Sequence, residues 1–161
     1  IKYRGRQVRG GFHDLVIATG GLQVFPRLVS AEHRASPRRE AVSSGTPGLD
    51  SLLGGGLDRG ASVLVLGPAG AGKSLLTLSV AAAAVARGER AALFVFDEEI
   101  GLLRDRALGI GIDVAALEAG GGLMLAGVDA AELSPGEFAH RVRACVEEGA
   151  RVVGLDSLNG Y

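Results

Sequence analysis

From Val42 onward, short apolar runs alternate with longer stretches of helical period, and the alternation predicts strands and helices in turn. Ala61 to Leu66 is an apolar run, which suits a strand covered on both faces. A helix is expected from about Lys73 to Arg87, with Gly88 just past its end. Ala91 to Phe96 reads as a second buried strand, and a helix from about Ile100 to Leu108 stops near Gly109. Leu123 to Ala126 is a third strand. Ser134-Pro135-Gly136-Glu137 then supplies a serine N-cap, a proline at N1 and a glutamate at N3. That is a capping box for a helix reaching about Glu148 and stopping at Gly149. Val152 to Leu155 is a fourth strand. The order β-α-β-α-β-α-β predicts a mostly parallel, three-layer α/β sheet.

The first 35 residues follow another pattern. Val16-Ile17-Ala18 and Leu22-Gln23-Val24-Phe25 flank Thr19-Gly20-Gly21, which predicts a β-hairpin that Pro26 ends. Arg34 to Glu40 carries no apolar period and reads as linker. The division expected is 1–35 as a β segment, 36–41 as linker and 42–161 as an α/β unit. The chain opens on Ile1 and stops at Tyr161 in mid-pattern, so a piece of a longer protein is expected.

Composition narrows the class. Hydrophobic residues are 47% and charged residues 22%, which fits a folded, soluble domain. No apolar stretch approaches the ~18 residues that a membrane helix needs. Cys145 is the only cysteine, so no internal disulfide forms, which fits a reducing, cytoplasmic setting. The net charge of −1 predicts no strong pull towards nucleic acid. Residues 1–40 nevertheless hold eight basic and three acidic residues, against nine and fifteen in the rest. A basic N-terminal piece of this kind suits an anion.

The strongest chemical signal is Gly67-Pro68-Ala69-Gly70-Ala71-Gly72-Lys73-Ser74, placed between a strand and a helix. That context makes it a phosphate-binding loop. Glycines let backbone N–H groups turn inward around phosphates, and the helix N-terminus adds partial positive charge. Lys73 is expected on the β- and γ-phosphates of ATP, and Ser74 on Mg²⁺. Asp156, at the carboxyl end of an apolar strand, is expected as the second Mg²⁺ anchor; the alternative is a cap for the next turn through Ser157. Asp97-Glu98-Glu99 follows the second strand, where ligands of open α/β sheets bind. A carboxylate there can orient a water for in-line attack, and Glu98 is the candidate. The alternative is an acidic helix start, the reading that suits Glu99. His13, His33 and His140 have no metal-ligand spacing. His140 is expected at the surface. Cys145 is expected in the core beside Phe138 and Val142.

Together these residues resemble the KaiC branch of the RecA-type P-loop ATPases. Ser43-Ser44-Gly45, Leu49-Asp50, Gly54-Gly55-Gly56, Phe96-Asp97-Glu98 and Asp156-Ser157 carry more of that likeness than the phosphate loop does. The resemblance implies a RecA-like core cut after the metal-binding strand, with ATP and Mg²⁺ as cofactors. It matches Asp97 and Glu98 to the family's water-activating acidic pair, with Asp97 where glutamate is common. Lys2-Tyr3-Arg4-Gly5 and Gly21 to Arg27 resemble the closing strands of a preceding ATPase domain. By that likeness Lys2 and Arg4 reach the nucleotide of an adjacent subunit; the alternative is a basic edge strand that discourages aggregation. The family also implies a ring, a hexamer by resemblance, signalling partners, and ATP hydrolysis with serine/threonine autokinase activity as a further capacity. A RecA- or RadA-like DNA-repair ATPase is the rival. In RecA-type cores the strand after the metal strand lies between it and the phosphate-loop strand, so a gap or a non-native pairing is expected there.

Overall fold

The computed structural model describes residues 5, 9–29, 40–96 and 98–157. Its centre is a three-stranded parallel sheet ordered β6-β5-β7, formed by β5 (Arg90–Val95), β6 (Leu123–Gly127) and β7 (Ala150–Asp156). The middle strand is buried from Ala91 to Val95 and divides its side chains by parity, as a period of two requires. Ala91, Leu93 and Val95 face one helix layer: α2 (Lys73–Ala86), α3 (Ile100–Gly109) and α4 (Val114–Ala119). Ala92 and Phe94 face α5 (Pro135–Glu147), where Phe94 and Phe96 both meet Phe138 edge-on. The three-layer α/β architecture expected from the alternation is therefore present.

Helix ends follow local chemistry. Ser134 caps α5 by accepting from the Glu137 N–H, while the Glu137 carboxylate pairs with Arg141. Asp113 caps α4 and Glu99 caps α3, the latter with both oxygens accepting from Gly101 and Leu102. The expected hairpin forms as β1 (Asp14–Ala18) and β2 (Gly21–Phe25), in antiparallel register about Thr19-Gly20. It docks on α5. Asp14 Oδ2 accepts from the Gly136 N–H at 2.6 Å, and the Pro26 carbonyl lies 2.8 Å from His140 Nε2. Phe25 is buried against the His140 ring. His140 is thus a docking residue rather than a free surface histidine. Residues 30–39, most of the expected linker, lie outside the described residues.

One expected strand is missing. Ser62 to Leu66 makes no backbone hydrogen bond with any described strand, and Leu64 and Leu66 are 65% and 82% exposed. An apolar run becomes a strand only if a neighbour accepts its backbone groups. Here none does. Instead the run faces β7 across a groove of about 600 Å³, floored by Leu76, Thr77 and Val80 of α2. The gap expected between the metal strand and the phosphate-loop segment is this groove. Three short pieces were not foreseen: α1 (Pro47–Leu52), α4, and the two-residue pairing of β3 (Ala41–Val42) with β4 (Leu57–Asp58).

Candidate functional site

The phosphate loop leaves the groove at Gly67 and enters α2 at Lys73. Gly70 and Gly72 sit at φ 79° and 85°, the left-handed region in which a side chain is strained. No heavy atom outside their own neighbours lies within 4 Å of where their Cβ atoms would be, so the turn has open space beside both glycines. Gly72 is the N-cap of α2, and the first helical bond runs from the Leu76 N–H to its carbonyl. The 14-residue helix therefore aims its free N–H groups and its positive end at the loop. Lys73 Nζ donates to the Gly67 and Pro68 carbonyls at 3.0 and 2.9 Å, which curls its side chain back over the turn. Ser74 is the next residue of the helix and is half-buried.

Packing of α2 fixes where that loop stands. Leu78, Ala81 and Ala84 are fully buried against the sheet, and the alanines let the helix approach closely. At Gly154 there is no room for a side chain: a Cβ there would lie 2.6 Å from Leu93 of β5 and 2.7 Å from Thr77 of α2. Helix α2 and β7 are thus held together one turn from Lys73. Asp156, two residues on, lines the same groove as Lys73 and Gly67. Its backbone carbonyl accepts from Phe96, which ties the carboxyl ends of β5 and β7 together. These residues fit a phosphate chain with a divalent cation: an open glycine turn, a lysine with exchangeable carbonyl partners, and a hydroxyl and a carboxylate. Among the described residues no cluster of three His, Cys, Asp or Glu forms a metal cage. Magnesium held largely by phosphates and water needs only one or two protein ligands.

At the middle and C-terminal end of α2, the motif around Asp50 forms a brace. Asp50 accepts from the Ser43 hydroxyl at 2.6 Å and the Ser44 N–H at 2.8 Å, and these hydrogen bonds hold its carboxyl below the usual range. Ser44 is fully buried, and Arg87 at the end of α2 donates to the Ser43 carbonyl. Gly45 lies against the Ser79 carbonyl so closely that a Cβ would stand 2.8 Å from it. Arg59 bridges Glu40 and Glu89, and its hydrogen bond is the main reason the Glu89 carboxyl is lowered.

Glu98 stands elsewhere. It lines a second, polar recess at the carboxyl ends of β5 and β6, with Gly127, Asp129 and Glu132. Its carboxylate pairs with Arg106 of α3. The neighbouring Arg104 pairs with Glu118 of α4 rather than facing water alone. The structure therefore brings Lys73, Gly67 and Asp156 to one groove and leaves Glu98 on the far side of β5. Asp97, Lys2 and Arg4 lie outside the described residues. Cys145 packs beside Val142, its Sγ 3.6 Å from Met124 Sδ, and burial pushes its thiol up. Sequence reasoning missed the Arg106–Glu98 pair, which no local pattern signals. It noticed Ser43-Ser44 and Asp50 only as a likeness, although a serine pair before an aspartate is also the chemistry of a loop brace.

Comparison with known proteins agrees with this geometry. The family model "ATPase: KaiC" matches residues 42–160. The "Circadian clock oscillator protein KaiC" of Picosynechococcus sp. is 34% identical over 126 residues, 78% of this chain and 24% of that protein. The protein of the same name from Prochlorococcus marinus is 35% identical over 119 residues, 73% of this chain and 23% of that protein. The "Circadian clock protein KaiC2" of Synechocystis sp. is 34% identical over 116 residues, 71% of this chain and 20% of that protein. The chain thus spans about a quarter or less of the length of these relatives. No helix among the described residues is long and apolar enough to cross a membrane. With a family match over most of its length and a phosphate loop set at the open end of a parallel sheet, the chain belongs to the KaiC ATPase family.

Proposed function

We propose that residues 42–161 bind ATP with Mg²⁺ and hydrolyse it as part of an oligomeric signalling ATPase. The observation that carries this is the open glycine turn at the N-terminus of α2, with Lys73 and Asp156 at the same groove. The backbone from Gly67 to Gly72 would hold the phosphates. Lys73 would exchange its two carbonyl partners for phosphate oxygens, which as charge-assisted contacts are the stronger ones. Ser74 and Asp156 would hold the Mg²⁺, whose charge neutralises the transferring phosphoryl group. Glu98 would orient the attacking water, and Asp97 would stand beside it. Phosphotransfer to a serine or threonine uses the same phosphate-holding parts, so autokinase activity is the finer form of this reading.

Residues 1–35 belong, on this reading, to the end of a preceding ATPase domain, with Lys2 and Arg4 reaching the nucleotide of a neighbouring subunit in a ring. The docking of Asp14, Phe25 and Pro26 on α5 supports a fixed relation between that segment and the second domain. The family match gives no support to a DNA-repair ATPase over a KaiC-type one.

Calorimetry on the full-length protein tests the binding half. Wild type is expected to give an ATP heat and a thermal upshift, and Lys73→Ala to abolish both with an unchanged far-ultraviolet circular dichroism. Glu98→Gln keeps ATP binding and lowers steady-state turnover by roughly a hundredfold, the scale of a lost general base. Wild-type turnover in Glu98→Gln removes that role.

A further inference from the structure

Glu98 has one side-chain partner among the described residues. Arg106 Nη2 lies 2.5 Å from its Oε1 and 2.7 Å from its Oε2. We propose that Arg106 is a positioning residue for ATP hydrolysis, fixing the Glu98 carboxylate for the water it orients. The inference rests on the reading of Glu98 as the water-orienting group.

Three observations support it. The pair is not a stability device: the two side chains are 50% and 23% exposed, and ion pairs of that exposure contribute little. Its surroundings are acidic, because Asp129 and Glu132 line the same recess as Glu98. Without a cation, like-charge repulsion turns Glu98 away from them and leaves its torsions free. The other groups nearby are already committed. Glu99 spends both oxygens on the N-terminus of α3, and Arg104 on Glu118. Arg106 is left as the cation that meets Glu98, on a helix anchored to the sheet by the buried Leu103 and Ala107. A single guanidinium nitrogen touching both oxygens fixes the direction in which the carboxylate faces, and the remaining lone pairs of the carboxylate stay open to a water. A group that orients a water needs its geometry held to about 0.5 Å, which a free glutamate on a chain turn does not supply.

The test is steady-state ATP hydrolysis by the full-length protein, with nucleotide affinity measured calorimetrically. The variants are Arg106→Ala, Arg106→Lys, Glu98→Gln and the Glu98→Gln/Arg106→Ala double. Arg106→Ala is expected to lower kcat roughly tenfold while KM and ATP affinity change less than about twofold. Arg106→Lys, which keeps one charged donor, recovers part of the loss. In the Glu98→Gln background, removing Arg106 changes kcat by less than about twofold, since the group it positions is gone. Wild-type or raised kcat in Arg106→Ala overturns the proposal, the raised value because the pair would then restrain Glu98. An equal loss in both backgrounds overturns it too, by placing the action of Arg106 elsewhere. If Glu98→Gln alone turns over like wild type, the reading of Glu98 fails and the positioning role falls with it, a result distinct from failure of Arg106 alone.

Discussion

Asp50 organises the turn that packs on the middle and C-terminal end of α2, the helix that carries the phosphate loop at its other end. Its two oxygens take the Ser43 hydroxyl and the Ser44 N–H, and Gly45 then passes hard against α2. Those hydrogen bonds favour the ionised carboxylate and lower its pKa from 3.8. The sign of the linkage follows. A carboxyl lowered by folding contributes stability that is fully present above its unfolded value and is lost as pH falls through the folded one. Asp50→Asn is therefore expected to melt below wild type by a constant margin between pH 5 and pH 7. That margin shrinks only on acidification below about pH 3.8. Thermal melts of both proteins across that range check it, and a margin that instead grows on acidification contradicts the assignment. At this scale the site was partly legible. That Lys73 and Asp156 share one groove could be expected from the loop spacing and from the carboxyl end of β7. Glu98's partner could not, because Arg106 reaches it only through the packing of α3 on the sheet.

The element that carries the loop is α2, whose buried face is Leu78, Ala81 and Ala84. Leu78 is completely enclosed, so Leu78→Ala removes apolar burial and leaves a cavity. The expected cost is about 3 kcal/mol, within the range for such truncations. A denaturant midpoint shifted with an unchanged slope would measure it. Because the same helix presents Lys73, a loosened α2 also weakens ATP binding, whereas an equal destabilisation placed on α5 does not. Long elements were legible because their apolar residues sit between hard punctuation. Gly88 and Gly149 follow α2 and α5 with positive φ, and Ser134-Pro135 opens α5. The six-residue α1 and α4 offer less than two helical turns, too few for a period to register. The run Ala61–Leu66 misleads for a different reason. Its sequence fits a buried strand, but strand formation depends on a neighbour that composition cannot report.

That missing neighbour shapes the whole molecule. On one edge, β5 joins β6, with the Ala91 N–H bonded to Gly122 and the Val128 N–H to Val95. On its other edge Phe96 donates to Asp156. In a parallel pair, backbone groups point to opposite edges in alternation. Asp156, Gly154 and Val152 therefore turn their N–H groups to β5, while Val153 and Leu155 turn theirs into the groove facing Ser62 to Leu66. Both sides of the groove are apolar: Val63, Leu64 and Leu66 stand more than half exposed on one wall. Such an edge is a template for one further strand and a liability in its absence. Hydrogen exchange on the 161-residue chain separates the two states residue by residue. The Gly154 and Phe94 amides should exchange slowly, at the rate set by opening of the sheet. The Val153, Leu155 and Leu64 amides should exchange orders of magnitude faster, despite their apolar side chains. If Val153 and Leu64 are instead as protected as Gly154, then a strand occupies the groove in solution, supplied by a second copy or by the remaining residues of the chain. A dilution series tells those apart, since protection borrowed from a second copy falls with concentration and protection from the chain itself does not.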